Sequence, residues 1–327
     1  MKNKLNSLIR YAIKNDVSDI HFIYQNSSLN ITMRGIKGIK EVKDELYDIN
    51  LFRYIQYLAN LDLGNIKLPQ TGNFELDINN KHLYFRLSVI VTNDVSSGVL
   101  RILNNHSRIE LEDLSSNKKD LVTFNRWTHV RHGLVIMSGP TGSGKTTTLH
   151  ALLDRIADDK KLKVISLEDP IEIHTDKFLQ LQVNDKYSLN YKNGIRELLR
   201  HDPDVIMIGE VRDEKSARML YQCALTGHLV FTTLHCKNAL EAIYRLEELG
   251  LNTNEIKQVL LGVTNQRIYS SKKTKGRICI YEILEGLELQ TTIQEHTYSN
   301  NHQSIESKIK TAIESNLIYK KEASYDL

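Results

Sequence analysis

Four short apolar runs in the second half of the chain constrain its fold more than any other feature: Leu134 to Met137, Val164 to Leu167, Val205 to Ile208 and Leu229 to Thr232. Each run is continuous, without the polar alternation of a strand that has one wet face. A strand that is apolar on both faces must be covered on both, as in a parallel sheet between layers of helix. Helical segments separate the runs. Asn238 is placed to cap one that continues to Leu249, with Gly250 as its stop. Within it Glu241 and Arg245 stand four apart, the spacing of a favourable ion pair. The class implied is α/β.

The first half has another pattern. Leu5, Leu8, Ile9, Ala12 and Ile13 repeat at helical spacing. Asp19 to Tyr24, Asn30 to Met33 and Val99 to Leu103 read as strands, and Leu51 to Leu63 as a helix stopped by Gly64. Phe74 to Ile78 and Leu83 to Leu87 flank Asn79-Asn80, a hairpin signal. Residues 1–104 therefore read as a small α+β domain with an antiparallel sheet. Polar, breaker-rich residues place a linker at 105–118, leaving 119–327 for the larger domain. A length of 327 residues suits two such cores better than one.

Composition excludes several classes. The formal net charge is +3, and the lysines fall in small groups such as Lys118-Lys119, Lys160-Lys161 and Lys272-Lys273 with Lys275. That dispersal argues against a nucleic-acid groove, which gathers its charge. The three cysteines, Cys223, Cys236 and Cys279, include no C-x-x-C pair. A disulfide framework or zinc knuckle is not expected, and a reducing cytosol is. No stretch approaches the roughly 18 apolar residues of a membrane span. Action at a membrane would go through a partner.

Gly139-Pro140-Thr141-Gly142-Ser143-Gly144-Lys145-Thr146 matches G-x-x-x-x-G-K-[ST] at every fixed position, and Thr147 follows it. The glycines allow a backbone nest whose N–H groups face phosphate oxygens. The helix expected from Lys145 aims its positive end at the same anion. Lys145 can reach the outer phosphates, and the Thr146 hydroxyl can bind Mg²⁺. The motif follows an apolar run and precedes a helical one, the context it requires.

In open parallel sheets ligands bind at the carboxyl ends of strands. Glu168-Asp169 follow the second run, Gly209-Glu210 the third, and Leu234-His235 the fourth. Glu210 is the favoured catalytic carboxylate. Glu168 is the second candidate, or a ligand to Mg²⁺ through water. Arg212 and His235 join the loop residues as nucleotide contacts.

Together these motifs resemble the secretion and type IV pilus assembly ATPases, the traffic ATPase superfamily. Gly139 to Leu149 is similar to its Walker A, Ser166 to Glu172 to its Asp box, Ile208 to Asp213 to its atypical Walker B, and Thr226 to His235 to its His box. Ser18 to His21 and Gln70 to Gly72 are similar to signatures of its first domain. The resemblance implies a RecA-like P-loop domain behind a PAS-like first domain, with ATP and Mg²⁺ as cofactors. It implies a homo-hexameric ring driven by domain rotation, and it casts Arg86 and Arg101 as first-domain arginines that approach the nucleotide. It implies a cytoplasmic protein, peripheral at the inner face of the cell membrane, working on an inner-membrane platform protein. It implies no membrane span and no direct nucleic-acid partner.

Two departures narrow the resemblance. Many assembly-type members carry a four-cysteine zinc loop between a Gln-Arg-Leu segment and a Gly-Arg…Tyr-Glu segment. Here Gln266-Arg267-Ile268 reaches Gly276-Arg277 and Tyr281-Glu282 through a short cysteine-poor loop, so no zinc is expected. No counterpart to the extra N-terminal domain of general secretion ATPases is expected. Tyr281-Glu282-Ile283-Leu284 suits assembly and secretion enzymes better than retraction enzymes. The short form is most similar to the competence pseudopilus assembly ATPases of Gram-positive bacteria, which serve DNA uptake in transformation. The alternatives are a retraction or type II secretion ATPase, a RecA-like motor on nucleic acid, and a noncatalytic scaffold.

Overall fold

The computed structural model describes residues 1–35, 38–42, 47–64, 68–79, 81–92, 94–103, 109–158, 162–184, 189–274 and 276–327. Asn80, part of the expected linker, Lys160, Lys161 and Lys275 lie outside them. The chain divides into two compact units, Met1–Ser107 and Arg108–Leu327.

The first unit opens with α1 (Lys2–Lys14), whose apolar stripe buries Leu5, Leu8, Ile9 and Ala12. There follow β1 (Val17–Gln25), β2 (Ser28–Gly35), β3 (Gly38–Val42), α2 (Ile49–Leu58), β4 (Gln70–Ile78), β5 (Lys81–Val91) and β6 (Ser96–Leu103). The strands pair antiparallel in the order β3-β2-β1-β6-β5-β4. Phe22, Phe52 and Phe85 lie at the centre of its core. The helix α2 stops at Leu58 rather than Leu63. Asn60 takes a left-handed φ of 54°, and the Leu61 N–H returns to Gln56 O, which satisfies the helix end before Gly64 is reached. The expectations for the other strands are met within a few residues. The strand β3 was not expected; nearly all of it is exposed, so it carries no apolar signature.

The second unit begins inside the stretch read as linker. Leu111 and Leu114 are buried in its core. Then come α3 (Lys118–Trp127), β7 (Gly133–Ser138), α4 (Lys145–Asp158), β8 (Val164–Glu168), β9 (Leu179–Gln182), α5 (Tyr191–Leu199) and β10 (Val205–Ile208). The chain continues through α6 (Glu214–Leu225), β11 (Leu229–Leu234), α7 (Ala239–Glu248), α8 (Thr253–Val259), β12 (Leu260–Ser270) and β13 (Arg277–Glu285). It finishes with α9 (Gly286–Glu295), α10 (Ile305–Glu314) and α11 (Lys320–Ala323).

The sheet order is β13-β12-β7-β11-β10-β8-β9, parallel except for the β12–β13 pair. The four apolar runs are β7, β8, β10 and β11, side by side at its centre. Their side chains alternate between two cores. Leu134 and Ile136 join α5, α6 and α7, while Val135 and Met137 join α3 and α4. This two-sided burial is why the runs are continuous.

Asn238 caps α7 through the Glu241 N–H, as expected. The Glu241–Arg245 pair does not form. Glu241 folds back to accept the Lys237 N–H, and Arg245 turns to Glu248 at 2.8 Å. The helix packing on the β12 edge depends on one glycine. A Cβ on Gly262 would lie 2.3 Å from Trp127 Cζ2, and Trp127 is buried. Gly262→Ala should therefore lower stability by about 1–3 kcal/mol, measured by denaturant unfolding of the purified chain.

Candidate active site

The end of β7 turns directly into the glycine-rich loop, and α4 starts at Lys145. Gly139, Gly142 and Gly144 have φ of 142°, 79° and 87°, a region that side-chain-bearing residues avoid. At Gly139 the restriction is also steric, since a Cβ would meet Gln266 O at 2.6 Å. Pro140 and Thr141 are exposed at the tip of the loop, whereas Ser143 is buried, its hydroxyl without a hydrogen-bond partner among the described residues. The first-turn amides of α4, including that of Thr147, have no earlier helical carbonyl to bond. Lys145 is buried and donates to Gly139 O and Pro140 O, both at 2.9 Å. Burial lowers its pKa, while the charges of Glu210 and Glu172 oppose that shift.

The strand ends converge as expected, but the carboxylates divide differently. Glu168 is the last residue of β8, paired with Gln182 in the ladder, and only 2% exposed. It accepts hydrogen bonds from Ser166 Oγ at 2.7 Å and Gln180 Nε2 at 3.0 Å. His150 Nε2 stands 3.7 Å from its second oxygen, and neither ring nitrogen of His150 has a hydrogen-bond partner among the described residues. The carboxylate that meets the loop is Glu172. Its Oε2 accepts from the Thr146 hydroxyl at 2.8 Å, and the side chain is exposed. Sequence reasoning stopped at the first acid after the apolar run. The signal it passed over is Pro170, which lacks an N–H for the ladder, so only acids beyond it are certain to have left the sheet.

Glu210 lies past β10, beside Arg212. The Arg212 Nε and Nη2 reach its Oε2 at 2.9 and 2.8 Å, and Nη1 stands 3.8 Å from Asp169. His235 Nε2 is 3.8 Å from Glu210 Oε1. Burial and then the Lys145 charge lower the His235 pKa, which favours its neutral form. Glu210, Arg212 and His235 line a pocket of about 330 Å³ together with Tyr244, Arg245 and Glu248 of α7. The arrangement thus gathers a phosphate nest, an ammonium, a hydroxyl and two carboxylates on one sheet edge. Such a set can hold a polyphosphate, and the hard oxygens of Thr146 and Glu172 fit Mg²⁺.

Arg86 and Arg101 belong to the first unit, where they sit opposite each other on β5 and β6. Arg101 Nε pairs with Asp19 Oδ1 at 2.8 Å. Among the described residues no three His, Cys, Asp or Glu side chains form a metal-binding group, and no helix is long and apolar enough to cross a membrane.

The family model for Type II/IV secretion system proteins matches residues 1–324. The chain belongs to this family. Its intact P-loop and this membership make it an ATPase. It is 34% identical over 308 residues to "Competence protein ComGA" of Bacillus subtilis (strain 168), covering 88% of this chain and 86% of that one. It is 35% identical over 268 residues to "Type II secretion system protein E" of Pseudomonas aeruginosa, covering 81% of this chain but 53% of that protein. This chain therefore spans about half of the secretion protein. Among solved structures, the pilus retraction motor PilT with bound ADP superposes with a TM-score of 0.77 at 25% identity, covering 99% of this chain and 96% of that one. The ATPase DotB of Legionella pneumophila shares the fold, with a TM-score of 0.78 at 21% identity over 97% of this chain and 93% of that one.

The two Asp-box glutamates should separate in a stability assay. Glu168→Gln removes the charge that strengthens the Ser166 and Gln180 hydrogen bonds to one buried oxygen and puts an NH₂ in place of the other, beside His150, and should cost about 1–3 kcal/mol. Glu172→Gln, at an exposed position, should stay within about 0.5 kcal/mol of the parent chain. Equal losses in thermal or denaturant unfolding would contradict this division.

Proposed function

We propose that this chain is a hexameric motor ATPase that powers assembly of a type IV pilus-like competence pseudopilus for DNA uptake. The observation that carries the proposal is the likeness to ComGA, which runs over nearly the whole of both chains. The working place is cytoplasmic, at the inner face of the cell membrane against a platform protein. ATP hydrolysis would drive rotation between the two domains of each subunit, with Arg86 and Arg101 reaching the nucleotide.

The loop amides from Gly139 to Thr147 and the Lys145 ammonium bind the phosphates. Thr146, with the adjacent carboxylate of Glu172, would hold Mg²⁺, which when bound neutralises charge building on the phosphates. The role first considered for Glu168 passes to Glu172, because Glu168 is closed within the sheet. Glu172 is exposed and has no ion-pair partner among the described residues, so it can orient an attacking water. Glu210 is the second catalytic carboxylate. Its charge acts on Lys145, and its Arg212 partner fixes its direction. His235 beside it, in its neutral form, can report the phosphate state to α7.

The likeness to PilT supports a second reading, retraction. The two separate in cells: loss of an assembly motor abolishes filaments and transformation, and loss of a retraction motor leaves filaments in excess.

ATP hydrolysis across a size-exclusion separation tests the motor itself. Activity should run with a hexamer-sized peak. Lys145→Ala should abolish it, and Glu172→Gln and Glu210→Gln should each lower kcat by about 10²- to 10⁴-fold. An active monomer stimulated by DNA would instead indicate a nucleic-acid motor.

A further inference from the structure

The Gln266-Arg267 and Tyr281-Glu282 segments have no place in the chemistry above, yet they stand opposite each other on β12 and β13. Gln266 is in register with Tyr281, and Asn265 with Glu282. Because side chains alternate across a sheet, the two pairs face opposite sides. All four residues are buried, and each side chain ends on a loop of the candidate site or on the first turn of the helix after it.

On the α4 side, Gln266 Nε2 donates to Ser143 O at 2.8 Å and to Thr148 Oγ1 at 3.2 Å. The Tyr281 hydroxyl meets Thr148 Oγ1 at 2.9 Å. This face therefore grips the glycine loop and the first turn of the helix after it. On the α7 side, Asn265 Nδ2 donates to Cys236 O at 3.0 Å. Arg267 Nη2 donates to Lys237 O at 2.8 Å, and Glu282 Oε2 accepts the Ala239 N–H at 3.1 Å. These contacts hold residues directly after His235, up to the first turn of α7.

The α7 face is anchored in turn. His302 bridges Glu282 at 2.8 Å and Glu288 at 2.9 Å, and the Tyr298 hydroxyl accepts the Leu240 N–H at 2.9 Å. Asp326 holds Arg267 Nε at 3.0 Å and the Tyr269 hydroxyl at 2.7 Å. Buried polar side chains of this kind are retained only when their partners are in place. Here the partners are the backbones of two loops that must act together.

We infer that the β12–β13 hairpin is a two-sided positioning element, with Gln266 and Tyr281 setting the phosphate loop and Asn265, Arg267 and Glu282 setting the loop that carries His235. The inference rests on the ATPase reading above for its functional consequence, but not for its structural one. Each face controls a different parameter. The α4 face sets how tightly nucleotide is held. The α7 face sets how His235 stands against Glu210, and so sets turnover.

The test uses the full chain, with Tyr281→Phe for one face and Glu282→Gln and Arg267→Met for the other. Amide hydrogen exchange is followed over residues 139–148 and 235–240, with and without ADP, alongside ADP affinity and kcat. Tyr281→Phe should speed exchange only in 139–148 and weaken ADP binding by about three- to tenfold, with kcat held. Glu282→Gln and Arg267→Met should speed exchange only in 235–240 and lower kcat by about tenfold, with ADP affinity held. Arg267→Met carries the α7 arm if Glu282→Gln does not fold. Loosening of both segments by a single variant, or of neither, would overturn the inference. A wild-type chain that does not hydrolyse ATP would overturn the ATPase reading, while the exchange pattern would still decide the positioning roles.

Discussion

The close approach of Gly139 to the backbone of Gln266 is the contact on which the site depends. The loop leaves β7 at the point where β12 lies alongside, and the space there is too small for any side chain. The glycine lets the chain turn sharply enough for α4 to begin six residues later with its amides facing outward. Buried beside that turn, Lys145 spends its ammonium on two loop carbonyls. Arriving phosphates compete for a cation already desolvated and aimed, so little reorganisation is left to the binding step. The sheet thus supplies both the shape of the loop and the electrostatics within it.

The same edge separates carboxylates by environment. Glu168, Glu172 and Glu210 all follow apolar strands within a few residues, yet they occupy three settings. Glu168 stays in the ladder and is consumed by Ser166 and Gln180. Glu210 leaves the sheet but is matched by a guanidinium. Glu172, beyond Pro170, is exposed and shares a hydrogen with Thr146. Similar acids acquire different settings because burial and local partners, not residue type, decide what each carboxylate meets.

What could be read from the sequence follows from the same physics. The central strands were legible because burial on both faces leaves uninterrupted apolar runs, and the glycine loop because its backbone tolerates few substitutes. The edge strand β9 was not legible, since Leu179 to Gln182 is half polar and only partly buried. The long strand β12 was also hidden. Its centre, Thr264-Asn265-Gln266, is polar, and the Asn265 and Gln266 amide groups are buried against loop carbonyls that accept from them. Periodicity registers apolar burial and is blind to polar burial, which depends on partners far along the chain. Polar burial likewise hides that Glu168, the acid next to the apolar run, stays in the ladder while Glu172 meets Thr146.

Polar burial in β12 also bears on how a hydrolysis signal leaves the site. An apolar core contact tolerates small shifts with little change in energy, whereas a buried hydrogen bond lost to a shift costs the full desolvation of its partners. The loops after β7 and β11 are tied to opposite faces of one hairpin by such bonds, so each is held against displacement by its own set of partners. The hairpin is itself fastened to the C-terminal helices through His302, where burial lowers the imidazole pKa but the hydrogen bonds and charges of Glu282 and Glu288 raise it further. That favours the charged form of a clamp between β13, α9 and the segment before α10. A change at His235 therefore has a stiff route from the α7 face to α9 and the segment before α10, through Glu282 and His302.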